Sequence, residues 1–232
     1  MGFGYRAEAR EEPVMRVLIA DDHAVVRKGL EQILADAYDD IVFGEATNAE
    51  EAIHLVDQDE WDVVILDISM PGRSGLDALK EIKKIKPAVP VLILSIHPED
   101  QYATRVLRAG ASGYMTKETA PEELITASNK VTAGGKYVSA GLAEKLAVDL
   151  ETETRETPPH KRLSDREYEV LLLIASGHTI TEIADMLSLS VKTISTYRAR
   201  ILEKTGLKSN AALVQYAMTY GLVDWPPEKG RS

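Results

Sequence analysis

Over the first half of the chain, five short apolar runs alternate with five amphipathic segments. The runs are RVLIA (16–20), IVFGEA (41–46), DVVILDI (62–68), PVLILSI (90–96) and SGYMTK (112–117). The segments between and after them, roughly 24–36, 49–58, 76–85, 99–109 and 121–133, carry apolar residues at helical spacing. Runs that are apolar on both faces and separated by helices predict a parallel sheet covered on both sides. The fold class expected is therefore α/β, a doubly wound sheet of five parallel strands. Ligands of such sheets bind at the carboxyl ends of the strands.

From about residue 161 the period changes to that of helices alone. The stretch LSDREYEVLLLIASGHTITEIADMLSLSVKTISTYRARILEKTGLKSNAALVQYAMTYGL predicts a second, all-α domain. Ser164 with Glu167 three residues on forms a candidate capping box, and Gly177 suits the end of that first helix. A second helix follows, with Thr181 as its candidate N-cap, then a turn at Ser188–Ser190 and a third helix that stops at Gly206. Two helices, a tight turn and a basic helix follow the helix-turn-helix order. Between the two patterns, residues 134–160 hold a glycine pair, a short amphipathic stretch, a charged threonine-rich run and Pro158-Pro159, which read as a partly helical linker. Residues 1–14 read as a disordered extension and 227–232 as a tail.

Composition narrows this picture only a little. The 232 residues are 44% hydrophobic, as in globular proteins, and include no cysteine, which suits a reducing compartment. No apolar run reaches the roughly 18 residues of a membrane span, and the N-terminus lacks the pattern of a secretion signal. A cytoplasmic location is expected. The net charge of −10 argues against a nucleic-acid partner until its distribution is considered. Between Val191 and Lys208 five basic residues face one acid, a local charge of +4 that leaves −14 on the rest of the chain.

The strand ends carry the candidate chemistry. Strand one runs into Asp21 and Asp22, strand three into Asp67, strand four into Ser95 and strand five into Tyr114 and Lys117. Singly, each has an ordinary reading: Asp21 or Asp22 as a helix N-cap, Ser95 as a strand-end hydroxyl, Tyr114 as core, Lys117 as a surface charge. Together they place three acids, a hydroxyl and an amine on one rim. Clustered carboxylates repel unless a cation joins them, and an all-oxygen set suits Mg2+. A carboxylate beside such an ion can accept a phosphoryl group, with Lys117 and Ser95 as partners for its oxygens.

The motifs IADDH, DVVILDISMPG, ILSIH and GASGYMTK, at these spacings, resemble the receiver domain of two-component response regulators over residues 15–133. The resemblance implies that Asp67 is the phosphoacceptor of a sensor histidine kinase. It implies Mg2+ held by Asp22, Asp67 and the backbone carbonyl of Ser69, with Asp21 acting through water. It also implies Ser95 and Tyr114 as the switch pair, Tyr114 turning inward behind Ser95, and Lys117 as the phosphate-binding lysine. The residues matching Ser69 and His97 tune the lifetime of the phosphoryl group in that family.

On the third C-terminal helix, about 100° per residue puts Val191, Ile194 and Ile201 on the packing face. Lys192, Thr193, Thr196, Ala199 and Arg200 lie opposite, with Ser195 at the edge. Small, polar and basic side chains on an exposed helix fit a major groove; the plain alternative is a solvated face. The segments LSDREYEVL, ITEIADMLSLSVKTIS and ILEKTGL resemble a LuxR-type DNA-binding domain over 161–226, and the whole order resembles the NarL/FixJ family. That resemblance implies base contacts for Ser195, Thr196 and Ala199. Lys192, Thr193 and Arg200 are the candidates for phosphate contacts. The last helix offers Ala212, Leu213, Tyr216, Ala217 and Tyr220 for burial, either in a homodimer seam or in its own core.

The expectation is a phosphorylation-gated regulator that binds double-stranded DNA as a dimer when phosphorylated, not an enzyme in the ordinary sense. Three rival readings compete with it. A Mg2+-dependent phosphohydrolase would carry a second acid two residues after the nucleophile, where this chain has Ser69. A DNA-binding protein controlled by protein contacts alone would keep the fold and have no use for the full set of strand-end residues. A protein-docking role for the C-terminal helices would leave their basic face without a nucleic-acid partner.

Overall fold

The structure is a computed structural model that describes residues 14–96, 99–144 and 158–223, without the side chains of Asp100 and Gln101. The expected extension (apart from Val14), the middle of the expected linker, the tail and His97 lie outside the described residues.

Five strands, β1 (Met15–Ala20), β2 (Ile41–Ala46), β3 (Val63–Asp67), β4 (Val91–Ser95) and β5 (Gly113–Thr116), form one parallel sheet in the order β2-β1-β3-β4-β5. Helices α1 (Ala24–Ala35), α2 (Ala49–Gln58), α3 (Gly75–Ile85), α4 (Glu99–Arg108) and α5 (Ala120–Thr132) follow the strands in turn. Strand residues alternate between faces. Val17, Ile19, Val63 and Ile65 therefore pack with Leu30, Leu34 and Leu124 of α1 and α5. Leu18, Val64 and Leu66 pack on the opposite face with Val56, Leu79 and Val106 of α2, α3 and α4. Strand order reverses between β1 and β3, which opens the crevice at their carboxyl ends.

The C-terminal domain holds α6 (Asp165–Ala175), α7 (Ile180–Met186), α8 (Val191–Thr205) and α9 (Asn210–Thr219), preceded by a 3-10 turn, Pro159–Arg162. The Ser164–Glu167 capping box forms as expected. The cap of α7 is Thr179 rather than Thr181, because Thr179 is three residues from Glu182 and the two satisfy each other's backbone donors. Helix α8 starts on Ser190 and ends where Gly206 takes a left-handed φ of 71°. Neither Asp21 nor Asp22 caps α1. His23 holds that position, and its N–H donates to Asp21 Oδ1 at 2.8 Å, so Asp21 points to the strand ends instead.

Two burial expectations fail. Val191 is 48% exposed, since it opens α8 before the helix reaches the core that Ile194 and Ile201 enter. Tyr220, just past the last turn of α9, is 47% exposed, whereas Leu213 and Ala217 close the domain core and Ala212 and Tyr216 are half-buried.

The two parts share one apolar core. The cluster on the α2–α3–α4 face continues through Tyr102 and Tyr168 into Val170, Leu172, Ile194 and Leu213. Helix α6 is the element between them, and all eleven of its residues are buried.

Candidate functional site

Asp67 ends β3 with 1% of its surface exposed. Its Oδ1 accepts from the Ser69 N–H at 3.0 Å and its Oδ2 from Lys117 Nζ at 2.9 Å. Lys117 follows β5, where its backbone N–H donates to Ser95 O at 2.8 Å, and its Nζ is also 2.7 Å from Asp21 Oδ2. Sheet register thus brings residues 21, 67 and 117 onto one ammonium group. Carboxylate oxygens of Asp21, Asp22 and Asp67 and a ring nitrogen of His23 all lie within 4.8 Å of one another. His23 carries no signal in sequence that singles it out; its Nδ1 is 3.2 Å from Asp21 and 2.9 Å from Asp22.

Burial pushes the Asp67 carboxyl above its ordinary range; Lys117 opposes that shift and Asp21 adds to it. Burial disfavours the Lys117 ammonium, yet Asp67 and Asp21 outweigh it and raise the pKa. Lys117 is therefore held charged between the acids. Asp21 Oδ2 and Asp22 Oδ1 are buried without a hydrogen bond of good geometry, although Lys117 and His23 stand within ion-pair reach. Under-satisfied carboxylate oxygens in an all-oxygen cluster fit a small hard cation such as Mg2+. The Ser69 carbonyl is on the same loop, one peptide past Ile68.

Ser95 is fully buried at the end of β4. Tyr114 is 2% exposed, so the ring expected to turn inward is already inside, in the cluster with Tyr102 and Tyr168. The structure brings Asp21, Asp22, Asp67 and Lys117 together, and puts Ser95 and Tyr114 on adjacent strands, offset by two positions. A groove of about 650 Å³ lies elsewhere, lined by Glu60, Lys83, Lys86 and Lys136, and takes no part in this cluster.

The helical domain presents a second surface. Lys192, Ser195, Thr196, Ala199 and Arg200 are exposed along α8, and Thr193 is half-buried beside its cap Ser190. Ser195 and Thr196 donate their hydroxyls to the carbonyls of Val191 and Lys192, at 2.8 and 3.0 Å. The sheet domain does not cover this face.

Sequence reasoning missed the contact between the domains. Four charged residues of α6 are buried, and each is paired. Asp165 accepts from Arg105 Nε of α4 at 2.7 Å and from Lys80 Nζ of α3 at 2.6 Å. Arg105 also donates to Leu163 O, and its guanidinium lies 4.8 Å from the ring centre of Tyr168. Tyr168 meets Tyr102 edge-on at 5.5 Å. Glu167 pairs with Lys204 at 2.5 Å inside the helical domain. Arg166 binds Glu169 at 2.5 Å and reaches Gly72 O at 2.9 Å, while Glu169 Oε1 accepts from Ser69 Oγ at 3.3 Å. In sequence Glu167 carries a capping role, and for the other groups no local pattern distinguishes an interface from solvent.

Two family models match the chain: the response regulator receiver domain over residues 17–129, and bacterial regulatory proteins of the luxR family over 161–217. The response regulator GacA of Pseudomonas aeruginosa is 38% identical over 211 residues, which cover 91% of this chain and 99% of that protein. UvrY of Escherichia coli, also a response regulator, is 36% identical over 90% of this chain and 96% of its own length. Among solved structures, a complex of the response regulator RcsB with DNA is 30% identical, covers 89% of this chain and 99% of its own, and has a TM-score of 0.54. RcsB of Salmonella enterica serovar Typhimurium, bound to a promoter in the presence of a phosphomimetic, is 29% identical, covers 89% and 100%, and has a TM-score of 0.57. With its parallel sheet, its acid cluster at the strand ends and its helical C-terminal domain, this chain belongs to the two-component response regulators of the NarL/FixJ type, which join a receiver domain to a luxR-family helix-turn-helix domain.

Proposed function

We propose that this chain is a phosphorylation-gated transcription regulator of the cytoplasm, with a receiver domain over 15–133, a linker over 134–160 and a DNA-binding domain over 161–226. Asp67 is the phosphoacceptor and a sensor histidine kinase the donor. A carboxylate oxygen of Asp67 attacks phosphorus and the bond from phosphorus to the donor's imidazole nitrogen breaks. That nitrogen keeps the electron pair and takes a proton. Asp22, Asp67 and the Ser69 carbonyl would hold Mg2+ directly, and Asp21 through water. The ion would screen the charge between carboxylate and phosphoryl oxygens.

Lys117 stays charged at the site and leaves Asp67 for the phosphoryl oxygens, while Ser95 turns its hydroxyl to them. Tyr114 needs no inward swing, because it is already buried. The movement expected is a repacking of α4 behind Ser95. Helix α4 carries Tyr102 and Arg105, the two residues that grip α6, so its repacking loosens the helical domain. The face of α8 is exposed while α6 is docked. Release therefore acts by freeing the domain to pair with a second copy on half-sites, rather than by uncovering the helix. The RcsB–DNA complexes are consistent with DNA as the partner. Lys192, Thr193 and Arg200 then meet phosphates, and Ser195, Thr196 and Ala199 meet base edges.

The observation that carries this reading is Lys117 Nζ seated between Asp67 and Asp21, within a cluster that includes Asp22. Incubation with acetyl phosphate and Mg2+, followed by intact-mass measurement, tests it. The expected result is one phosphoryl group on the native chain and none on Asp67→Asn. A gain that persists in Asp67→Asn overturns the assignment.

A further inference from the structure

Glu169 lies a hundred residues from Ser69 in sequence, in the other domain, yet it accepts the Ser69 hydroxyl at 3.3 Å. Ser69 is also the residue whose N–H binds Asp67 Oδ1. Two hydrogen bonds thus run from the phosphoacceptor through Ser69 to an acid on α6. Glu169 is 2% exposed. Arg166 at 2.5 Å neutralises Glu169 and in turn binds the carbonyl of Gly72 in the loop after β3. Burial raises the pKa of Glu169, and the bonds from Arg166 and Ser69 oppose that shift.

We infer that Glu169, supplied by the DNA-binding domain, is a positioning residue of the phosphorylation site, and that a phosphoryl group on Asp67 and a docked α6 oppose each other through it. This inference rests on the reading of Asp67 as phosphoacceptor. The reason is charge. Phosphorylation replaces one carboxylate charge with a group of nearly two, beside a buried acid that solvent cannot screen. In the docked state Ser69 also holds its hydroxyl toward Glu169, away from the phosphoryl oxygens. Linkage makes the effect reciprocal: whatever phosphorylation does to docking, docking does equally to phosphorylation. The α4 route and the Glu169 route are separate. The first passes through Ser95 and Arg105, the second through Ser69.

The test uses the full chain with acetyl phosphate and Mg2+. It follows the level of phosphorylation reached at a fixed sub-saturating acetyl phosphate concentration, by intact mass, and the docking of α6 by hydrogen exchange. Glu169→Gln removes the charge and keeps an acceptor for Ser69. Arg166→Met with Glu169→Met replaces the ion pair by apolar groups of similar length, which guards against an unpaired buried arginine. Arg105→Ala undocks α6 while leaving Glu169 intact. The prediction is a rise on the order of tenfold in the ratio of phosphorylated to unphosphorylated protein in all three, within the range of ordinary coupling between sites. In the two Glu169 variants α6 also loses less protection after phosphorylation than in the native chain, because only the α4 route remains. If the Glu169 variants are phosphorylated to the native level and undock as fully as the native chain, the inference is overturned. Absence of any phosphoryl group on the native chain would instead defeat the underlying reading of Asp67, a result separable from the first.

Discussion

Arg105 on α4 and Asp165 on α6 form a 2.7 Å ion pair across the domain boundary, with Asp165 only 7% exposed. Lys80 completes the contact from α3. A buried carboxylate deprived of its partners costs several kcal/mol, so this pair fixes the docked geometry more than it adds stability. Arg105→Ala should therefore undock α6 with little change in the sheet domain. Hydrogen exchange should quicken in α6, particularly at the amides around Tyr168, and stay native in β1, β3 and β4.

Gly75 stands at the first turn of α3 with its N–H on Ile68 O at 3.0 Å. A Cβ there would meet Asp67 O at 2.1 Å and the Ile68 Cα at 2.6 Å. Both are backbone atoms, so α3 or the end of β3 must move. Gly75→Ala should cost about 3 kcal/mol in urea denaturation, the upper end of ordinary overpacking. It should also slow phosphorylation, since the atom displaced belongs to Asp67.

Lys117 neutralises two buried acids. Lys117→Met should lower stability by about 2 kcal/mol without divalent cations, because uncompensated carboxylates remain. Added MgCl2 should recover part of that loss, and more than it adds to the native chain, because a cation takes over the ammonium's role. Thermal melts with and without MgCl2 check both statements.

His160 links the 3-10 turn to α9. Its N–H donates to the Tyr216 hydroxyl at 3.2 Å, and that hydroxyl lies 2.9 Å from His160 Nδ1. Burial, with Lys161 and Arg105 nearby, lowers its pKa from 6.5 to about 4. Between those values the unfolded chain binds a proton that the folded chain refuses, so stability should fall as pH drops from about 6.5 toward 4. His160→Phe should flatten that part of the pH–stability curve, measured by urea denaturation at pH steps.

The sheet was legible because its information is local. Val63–Leu66 can only be a strand covered on both faces, and Asp67 directly after it has only the strand end to occupy. Alternation and βα order then determine the rest, including the convergence of Asp21, Asp67 and Lys117. The ends at Ser164 and Gly206 were legible for the same reason, whereas Thr179 was not, because two threonines two residues apart compete and only the spacing to Glu182 decides. The domain contact was not legible. Its pairs, Arg105–Asp165, Arg166–Gly72 and Ser69–Glu169, are 60 to 100 residues apart. Charged residues in a first turn look the same whether they face water or a partner. Val191 and Tyr220 were misplaced because helical periodicity gives a side chain's direction but not whether the core extends that far along the helix.

The measurement that tests phosphorylation gating most directly is DNA affinity, on a site obtained by selection, with and without acetyl phosphate and Mg2+. It should be made for the native chain and for Asp67→Asn, across a salt series. Phosphorylation should tighten binding of the native chain and leave Asp67→Asn unchanged. Lys192→Ala and Arg200→Ala should each reduce the salt slope by about one. Equal affinity of the phosphorylated and unphosphorylated native chain would contradict the gating.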